Sequence, residues 1–249
     1  MKPAELPSQL FTTWESAVAF RLFADQNTPT LTVPEQIAAR VGDRILSSQM
    51  PPGARIAEQD LADEFKVSRG PVRDALRILE REGLVTLLAR RGAIVTELSD
   101  TELRELLEIR GGLFEIVVRK IATHPSAELL RMLAAGVQRL QELSTSPEGG
   151  DAYAETTYRL LILCARQSEN VRLARMLSAL SLQTLRYSKL GLASVERRKR
   201  SAKLWQDTVQ ALQSGDVERT VALTRQRIEE SGNEAIAQLG KSQLNQGTP

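Results

Sequence analysis

Residues 68–85 of this 249-residue chain read SRGPVRDALRILEREGLV, and residues 89–95 read ARRGAIV. Val72, Ala75, Leu76 and Leu79 recur at helical spacing and form one apolar face. Ser68 stands where an N-cap belongs, its hydroxyl placed to accept from the free amides of a first turn. Gly83 stands where a helix ends in a left-handed residue. Upstream, residues 57–65 read as a shorter helix with Leu61, Ala62 and Phe65 inward. The tight connection 66–68 places Val67 as a plug between the two helices. Downstream, residues 84–87 and 93–96 read as two strands joined by a polar turn holding Arg90, Arg91 and Gly92. Two helices at a tight turn followed by a β-hairpin make a winged helix-turn-helix, whose second helix enters a DNA major groove.

That geometry nominates particular side chains. Arg69 and Arg73 lie one turn apart near the amino end of the second helix, the end that meets base edges. Ser68 and Gly70 share that end. Gln59, near the start of the preceding helix, reaches a base or a phosphate. Arg90 and Arg91 enter or grip a minor groove, and Gly92, read as the wing tip, lets backbone approach phosphate. Arg77 and Arg81 drift away from the amino end, toward phosphate contact or plain solvent. Net charge is +2 and makes no case for nucleic acid by itself. Within residues 33–96 ten Lys/Arg face nine Asp/Glu, so the argument rests on local arrangement. Between Glu64 and Asp74, Lys66, Arg69 and Arg73 occur with no intervening acid. A focused basic edge on a near-neutral domain favours specific contacts alongside counterion release.

On these residues the chain resembles the GntR family of bacterial transcription regulators. The likeness extends upstream to an amphipathic helix (Ile37, Val41, Ile45, Leu46) and the loop Met50-Pro51-Pro52-Gly53-Ala54, and covers residues 33–96. It implies a palindromic double-stranded DNA operator bound by a homodimer.

From Ser99 the texture changes. Amphipathic helices run to about residue 238, expected over 126–144, 151–167, 171–190, 195–213 and 216–238 after a first helix opened by Ser99-Asp100-Thr101-Glu102. The fold class is therefore mainly α, an amino-terminal winged helix-turn-helix followed by an all-helical bundle of about six helices. The expected division is an extension at 1–32, a DNA-binding domain at 33–97, a helical effector-binding and dimerisation domain at 98–240, and a disordered tail at 241–249. The helical half resembles the FCD domain of the FadR subfamily. The marks are Leu106-Leu107-Glu108-Ile109-Arg110, Ser168-Glu169-Asn170 and Ala211-Leu212-Gln213-Ser214-Gly215-Asp216.

The resemblance implies a central cavity holding a small-molecule effector, in many members through a metal bound by an Asp and three histidines. Here those positions fall on Thr157, Leu161, Trp205 and Arg227, and the chain holds one histidine, His124. Imidazole is the usual nitrogen ligand for Zn or Ni, so no metal and no other cofactor is expected. A slipped alignment would bring in Asp151 or Glu155 but no histidine. An arginine fork can hold a carboxylate as a metal would. Arg110, Thr157, Leu161, Arg186, Trp205 and Arg227 are the candidate effector-binding residues, for an anionic metabolite. The other reading is that Trp205 and Leu161 fill the cavity while Arg227 is solvated or paired with an acid. An acyl-CoA-type ligand and a small carboxylate are both compatible with a metal-free cavity.

The remaining features bound the function. With 42% hydrophobic and 26% charged residues the chain reads as globular. No apolar run approaches the roughly 20 residues of a membrane span, Glu15 and Arg21 interrupt the early apolar segment, and the one cysteine, Cys164, fits a reducing compartment. A cytoplasmic protein with no membrane partner is expected. No Glu-x-x-His pair, phosphate loop or nucleophile–base constellation occurs, so no catalytic residue is nominated and an enzyme is not expected. The alternative function is a winged-helix scaffold that contacts proteins and takes no effector. Phe11, Trp14, Val18 and Leu22 approximate a helical stripe, read either as an extra helix docked on the helical half or its partner or as an incidental apolar tail. Arg197-Arg198-Lys199-Arg200, with Lys203 beyond, reads as a solvated face rather than a second DNA contact.

Overall fold

The computed structural model describes residues 31–89 and 92–246, the last six by backbone alone. The Phe11–Trp14–Val18–Leu22 stripe lies outside the described residues, as do Arg90 and Arg91. The chain divides between Ser99 and Asp100 into two compact units.

In the first unit, α1 (Val33–Leu46) starts where the Thr32 amide and hydroxyl both donate to the Glu35 carboxylate, at 2.8 and 2.7 Å. Its buried face, Ile37, Ala38, Val41 and Ile45, packs on α3 (Arg69–Arg81), which buries Val72, Ala75, Leu76 and Leu79. Between them lies α2 (Glu58–Phe65), ended by Lys66 in the left-handed conformation at φ 55°. Phe65 and Val67 are half-buried rather than plugs of the core. Helix α3 ends as its glycine requires. Gly83, at φ 70°, donates to the Glu80 carbonyl and Leu84 to the Leu79 carbonyl, closing a Schellman motif.

The chain then forms β2 (Val85–Leu88) and β3 (Gly92–Val95), paired antiparallel with Val85 opposite Val95 and Leu88 opposite Gly92. A third strand, β1 (Arg55–Ile56), pairs with β3 on its other side and makes the sheet order β1-β3-β2. Two residues are too few to show a strand period, so β1 left no mark in the sequence pattern.

The second unit holds seven described helices: α4 (Asp100–Thr123), α5 (Ala127–Thr145), α6 (Gly150–Gln167), α7 (Val171–Gln183), α8 (Leu185–Gly191), α9 (Val195–Gln213) and α10 (Val217–Gln246). Ser126, Asn170 and Ser194 cap α5, α7 and α9, each accepting an amide hydrogen bond from three residues on. One core joins α4, α5, α6, α7, α9 and α10, with Phe114, Leu133, Leu160 and Trp205 among its members. Cys164 lies within it, and burial pushes its thiol up to about 12, far from reactive thiolate character.

Three expectations need correction. The helix expected over 171–190 breaks at Thr184, whose hydroxyl donates to the Leu180 carbonyl and accepts from Arg110. The break lets Gly191 approach α10 so closely that a Cβ there would sit 2.3 Å from the Ser231 carbonyl oxygen. Second, α10 continues to Gln246 where a disordered tail was expected from Lys241. Residues 241–246 contain neither proline nor glycine, and an existing helix propagates at one hydrogen bond per added residue. Third, Arg197 and Arg198 are not a solvated face: they are 2% and 0% exposed.

Candidate functional site

The amino end of α3 presents an exposed polar surface. Ser68 occupies the N-cap with extended backbone (φ −72°, ψ 168°), but its hydroxyl makes no capping hydrogen bond. The capping role is thus positional only, and the hydroxyl remains exposed beside Gly70. Arg69 Nε donates to Gln59 Oε1 at 2.7 Å, and Gln59 Nε2 donates to Asp63 at 2.7 Å. Arg73 Nε donates to Glu58 Oε2 at 2.7 Å, with the Arg73 side chain 58% exposed and Glu58 only 19%. Both arginines are thereby steered from α2 through the inner nitrogen of the guanidinium. These two contacts leave the outer nitrogens unused, the pair that a guanine edge takes in bidentate contact. Gln59 therefore acts here as a support for Arg69, a role the sequence reading did not assign. Arg77 is more exposed than Arg73, at 70%, and sits near Asp74 at 3.8 Å.

Gly92 corrects one nomination. It is the first residue of β3, buried, at φ 85°, and a Cβ there would lie 2.1 Å from the Ile56 carbonyl oxygen. The glycine is required by the close approach of the β1 backbone, a reason independent of any phosphate contact.

In the helical unit, Arg110, Thr157, Leu161 and Arg227 line one cavity of about 30 Å³, together with Tyr158, Leu185 and the hydroxyl-bearing Ser181, Ser188 and Ser231. Trp205 lies behind it, with the Arg227 guanidinium stacked 3.7 Å above its ring centroid. Arg110 and Arg227 are 6% and 3% exposed. Among the described residues neither has a carboxylate within ion-pair distance. Arg110 Nη1 donates to Thr184 Oγ1 at 2.5 Å. Arg110 Nε, Arg227 Nε and Nη2, Trp205 Nε1 and Thr157 Oγ1 are buried without a hydrogen-bond partner. Burial lowers both guanidiniums to about 10, so both stay cationic near neutral pH. The reading in which Arg227 is solvated or paired with an acid is thus excluded by its surroundings.

Arg186 does not reach this cavity. Its guanidinium lies 4.6 Å from the Tyr187 ring centroid and donates to the Tyr187 hydroxyl. The turn at Thr184 points Leu185 and Ser188 inward and leaves Arg186 on the flank of α8. Among the described residues no cluster of three His, Cys, Asp or Glu suits a metal. Asp151 and Glu155, the carboxylates nearest the family's metal positions in sequence, both pair with Lys189 Nζ, at 3.1 and 3.2 Å.

Arg197 and Arg198 are a different kind of buried arginine. Arg198 donates to the carbonyls of Leu192, Ala193 and Ser146, at 3.1, 2.5 and 2.5 Å, closing off the ends of α8 and α5. Arg197 donates to Ser231 Oγ at 3.0 Å and the Arg227 carbonyl at 3.4 Å, and pairs with Glu230 at 3.4 Å. A signal for Arg198 existed: it recurs with Ser201, Ala202 and Trp205 on the inward stripe of α9. The hydroxyls of Ser181, Ser188 and Ser231 had no comparable signal, since serine is as common on a wet face.

Comparison with known proteins agrees with both units. Residues 34–95 match the family model for bacterial regulatory proteins of the gntR family, and residues 105–230, half the chain, match the FCD domain. A probable D-xylose utilization operon transcriptional repressor of Paenarthrobacter nicotinovorans is 29% identical over 193 residues, 75% of this chain and 81% of that protein. An uncharacterized HTH-type transcriptional regulator of Bacillus subtilis (strain 168), YdhC, is 33% identical over 98 residues. That alignment covers 39% of this chain, which spans 44% of the length of YdhC. A solved structure of a putative GntR transcriptional regulator from Rhodococcus sp. RHA1 shares the fold, with a TM-score of 0.69 at 18% identity over 82% of this chain and 97% of that one.

Proposed function

The chain belongs to the GntR family of bacterial regulatory proteins and carries an FCD domain, and from that premise we propose that it is an effector-responsive regulator of transcription. It reads a palindromic operator in double-stranded DNA as a homodimer in the cytoplasm. Arg69 and Arg73 discriminate bases, while Ser68, Gly70 and Gln59 frame that end of α3. Arg90 and Arg91 contact the groove walls. A small carboxylate, held by Arg110 and Arg227, is the effector. It acts by binding one arrangement of the dimer more tightly than another, since equal affinity for both would shift nothing.

The observation that carries the DNA reading is the pair of exposed guanidiniums at the amino end of α3, each steered from α2 by its inner nitrogen. The test is an operator selected from random duplexes and titrated by fluorescence anisotropy. Arg73→Ala should lose roughly 1–3 kcal/mol of discrimination between operator and scrambled DNA, with melting unchanged. Undiminished discrimination would remove the base-reading role. Among the described residues no helix is long and apolar enough to cross a membrane.

The effector reading rests on two buried guanidiniums with partnerless nitrogens around one cavity. A buried cation lacking a counter-charge is costly, and an anion would relieve both at once.

A further inference from the structure

The inner cavity poses a problem of size. At about 30 Å³ it has room for water or for a carboxylate group, whereas sites for whole organic ligands run to roughly 300–1,000 Å³. On the other side of α10 lies a groove of about 550 Å³ between α4 and α10, floored by Leu107, Val221, Ile228 and Ile236. Ile228 lines both spaces. It also borders a third void of about 10 Å³ beside Phe114 and Leu177, which gives its side chain slack on the side away from the groove. One isoleucine, 8% exposed, thus stands as a shared wall between a groove of ligand size and a pair of uncompensated guanidiniums.

Helix α4 keeps the groove open opposite that wall. Gly111 faces Ile228, where a Cβ would come 3.9 Å from its Cγ2, and a Cβ at Gly112 would meet nothing within 4 Å. Two adjacent glycines inside a helix weaken it, and neither has a positive φ that demands glycine. Their effect is to leave the space above Ile228 unfilled. The groove's rim carries both signs: Arg225 pairs with Glu115, which Arg119 also engages, and Arg104, Glu108 and Glu229 complete it. Three carboxylates, Glu108, Glu115 and Glu229, stand against the rim's arginines, so the groove offers no concentrated positive charge for a second anionic group.

We propose that the α4–α10 groove is the outer half of the effector site, that Ile228 is the gate between its halves, and that the ligand is a monocarboxylate with an uncharged apolar body. The carboxylate sits between Arg110 and Arg227 and the body lies along Leu107, Val221 and Ile236. The inference rests on the effector reading above and adds a shape to it.

The full-length protein is titrated calorimetrically with acetate, phenylacetate, 4-phenylbutyrate and 6-phenylhexanoate at constant ionic strength. Affinity should climb along the series, with 4-phenylbutyrate or 6-phenylhexanoate at least ten-fold tighter than acetate. Gly112→Leu, which fills the groove from α4, should erase that climb and leave acetate unchanged, with the melting temperature measured on the same sample. In stopped flow, Ile228→Ala should speed association of 4-phenylbutyrate. If acetate and the aryl acids bind alike, or Gly112→Leu folds and leaves the climb intact, the groove is not part of the site and the arginine-held anion survives. If no acid of the series binds, the arginine site falls, and the groove proposal with it.

Discussion

The two units use arginine in opposite ways. At the amino end of α3, Arg69 and Arg73 are exposed and steered by single contacts from Gln59 and Glu58. In the helical unit, Arg110, Arg197, Arg198 and Arg227 are all at most 6% exposed. The exposed pair keeps its hydration until a partner arrives, so it costs the fold little and can be held loosely. The buried set has lost hydration already, so each member must find partners inside or leave them unmet. Arg198 finds three carbonyls, and Arg197 an acid, a serine and a carbonyl. All four keep at least one buried nitrogen without a hydrogen-bond partner, but Arg110 and Arg227 have no carboxylate or carbonyl acceptor among the described residues, and of the four they alone line the inner cavity with its hydroxyls. What sets the anion site apart from the structural arginines is the absence of a carboxylate or carbonyl partner beside a cavity, not burial and not the presence of an unmet nitrogen.

The contrast can be broken most sharply at Arg198. Arg198→Met would strand the carbonyls of Leu192, Ala193 and Ser146 where α5 and α8 end. At about 1–3 kcal/mol per unmet buried group, the expected loss is on the order of 3 kcal/mol or more. Urea denaturation measures it, and a loss under about 1 kcal/mol would mean these bonds are not structural.

Arg227→Met should move stability the other way. It removes an uncompensated buried cation and keeps an unbranched side chain over Trp205, so a gain of about 1–2 kcal/mol is expected. Binding of every carboxylate in the series should vanish in the same variant. A less stable Arg227→Met protein would place Arg227 with Arg198, as part of the scaffold. The smallest effect belongs to the exposed pair. Glu58→Ala should change stability by less than about 0.5 kcal/mol, because a salt bridge with one partner 58% exposed contributes little. Operator discrimination should fall as Arg73 loses its guide, and an unaltered ratio of operator to scrambled affinity would show that the Glu58 contact does not orient the reading.

Much of this molecule was legible before its structure. Helix α3 announced itself through the period of Val72, Ala75, Leu76 and Leu79 and through Gly83, because helical spacing and a left-handed stop are local properties. The limits of α9 followed from local signals as well, with Ser194 at one end and Ser214-Gly215 at the other. What failed was decided at a distance. Gly92 looked like a wing tip because its neighbour β1, two residues long and 36 positions earlier, cannot be seen in a pattern. Arg186 and Arg227 looked equivalent as candidate anion holders, and a turn at Thr184, held by Arg110 from another helix, separated them. Sequence alone determined which segments are helices, which residues stand at the amino end of α3, and that one histidine cannot build a three-histidine metal site. Only tertiary structure decided which buried arginines have a carboxylate or carbonyl partner, and that Ile228 lines both the groove and the cavity. Partners and cavities are made by residues far apart in the chain, and periodicity carries no information about them.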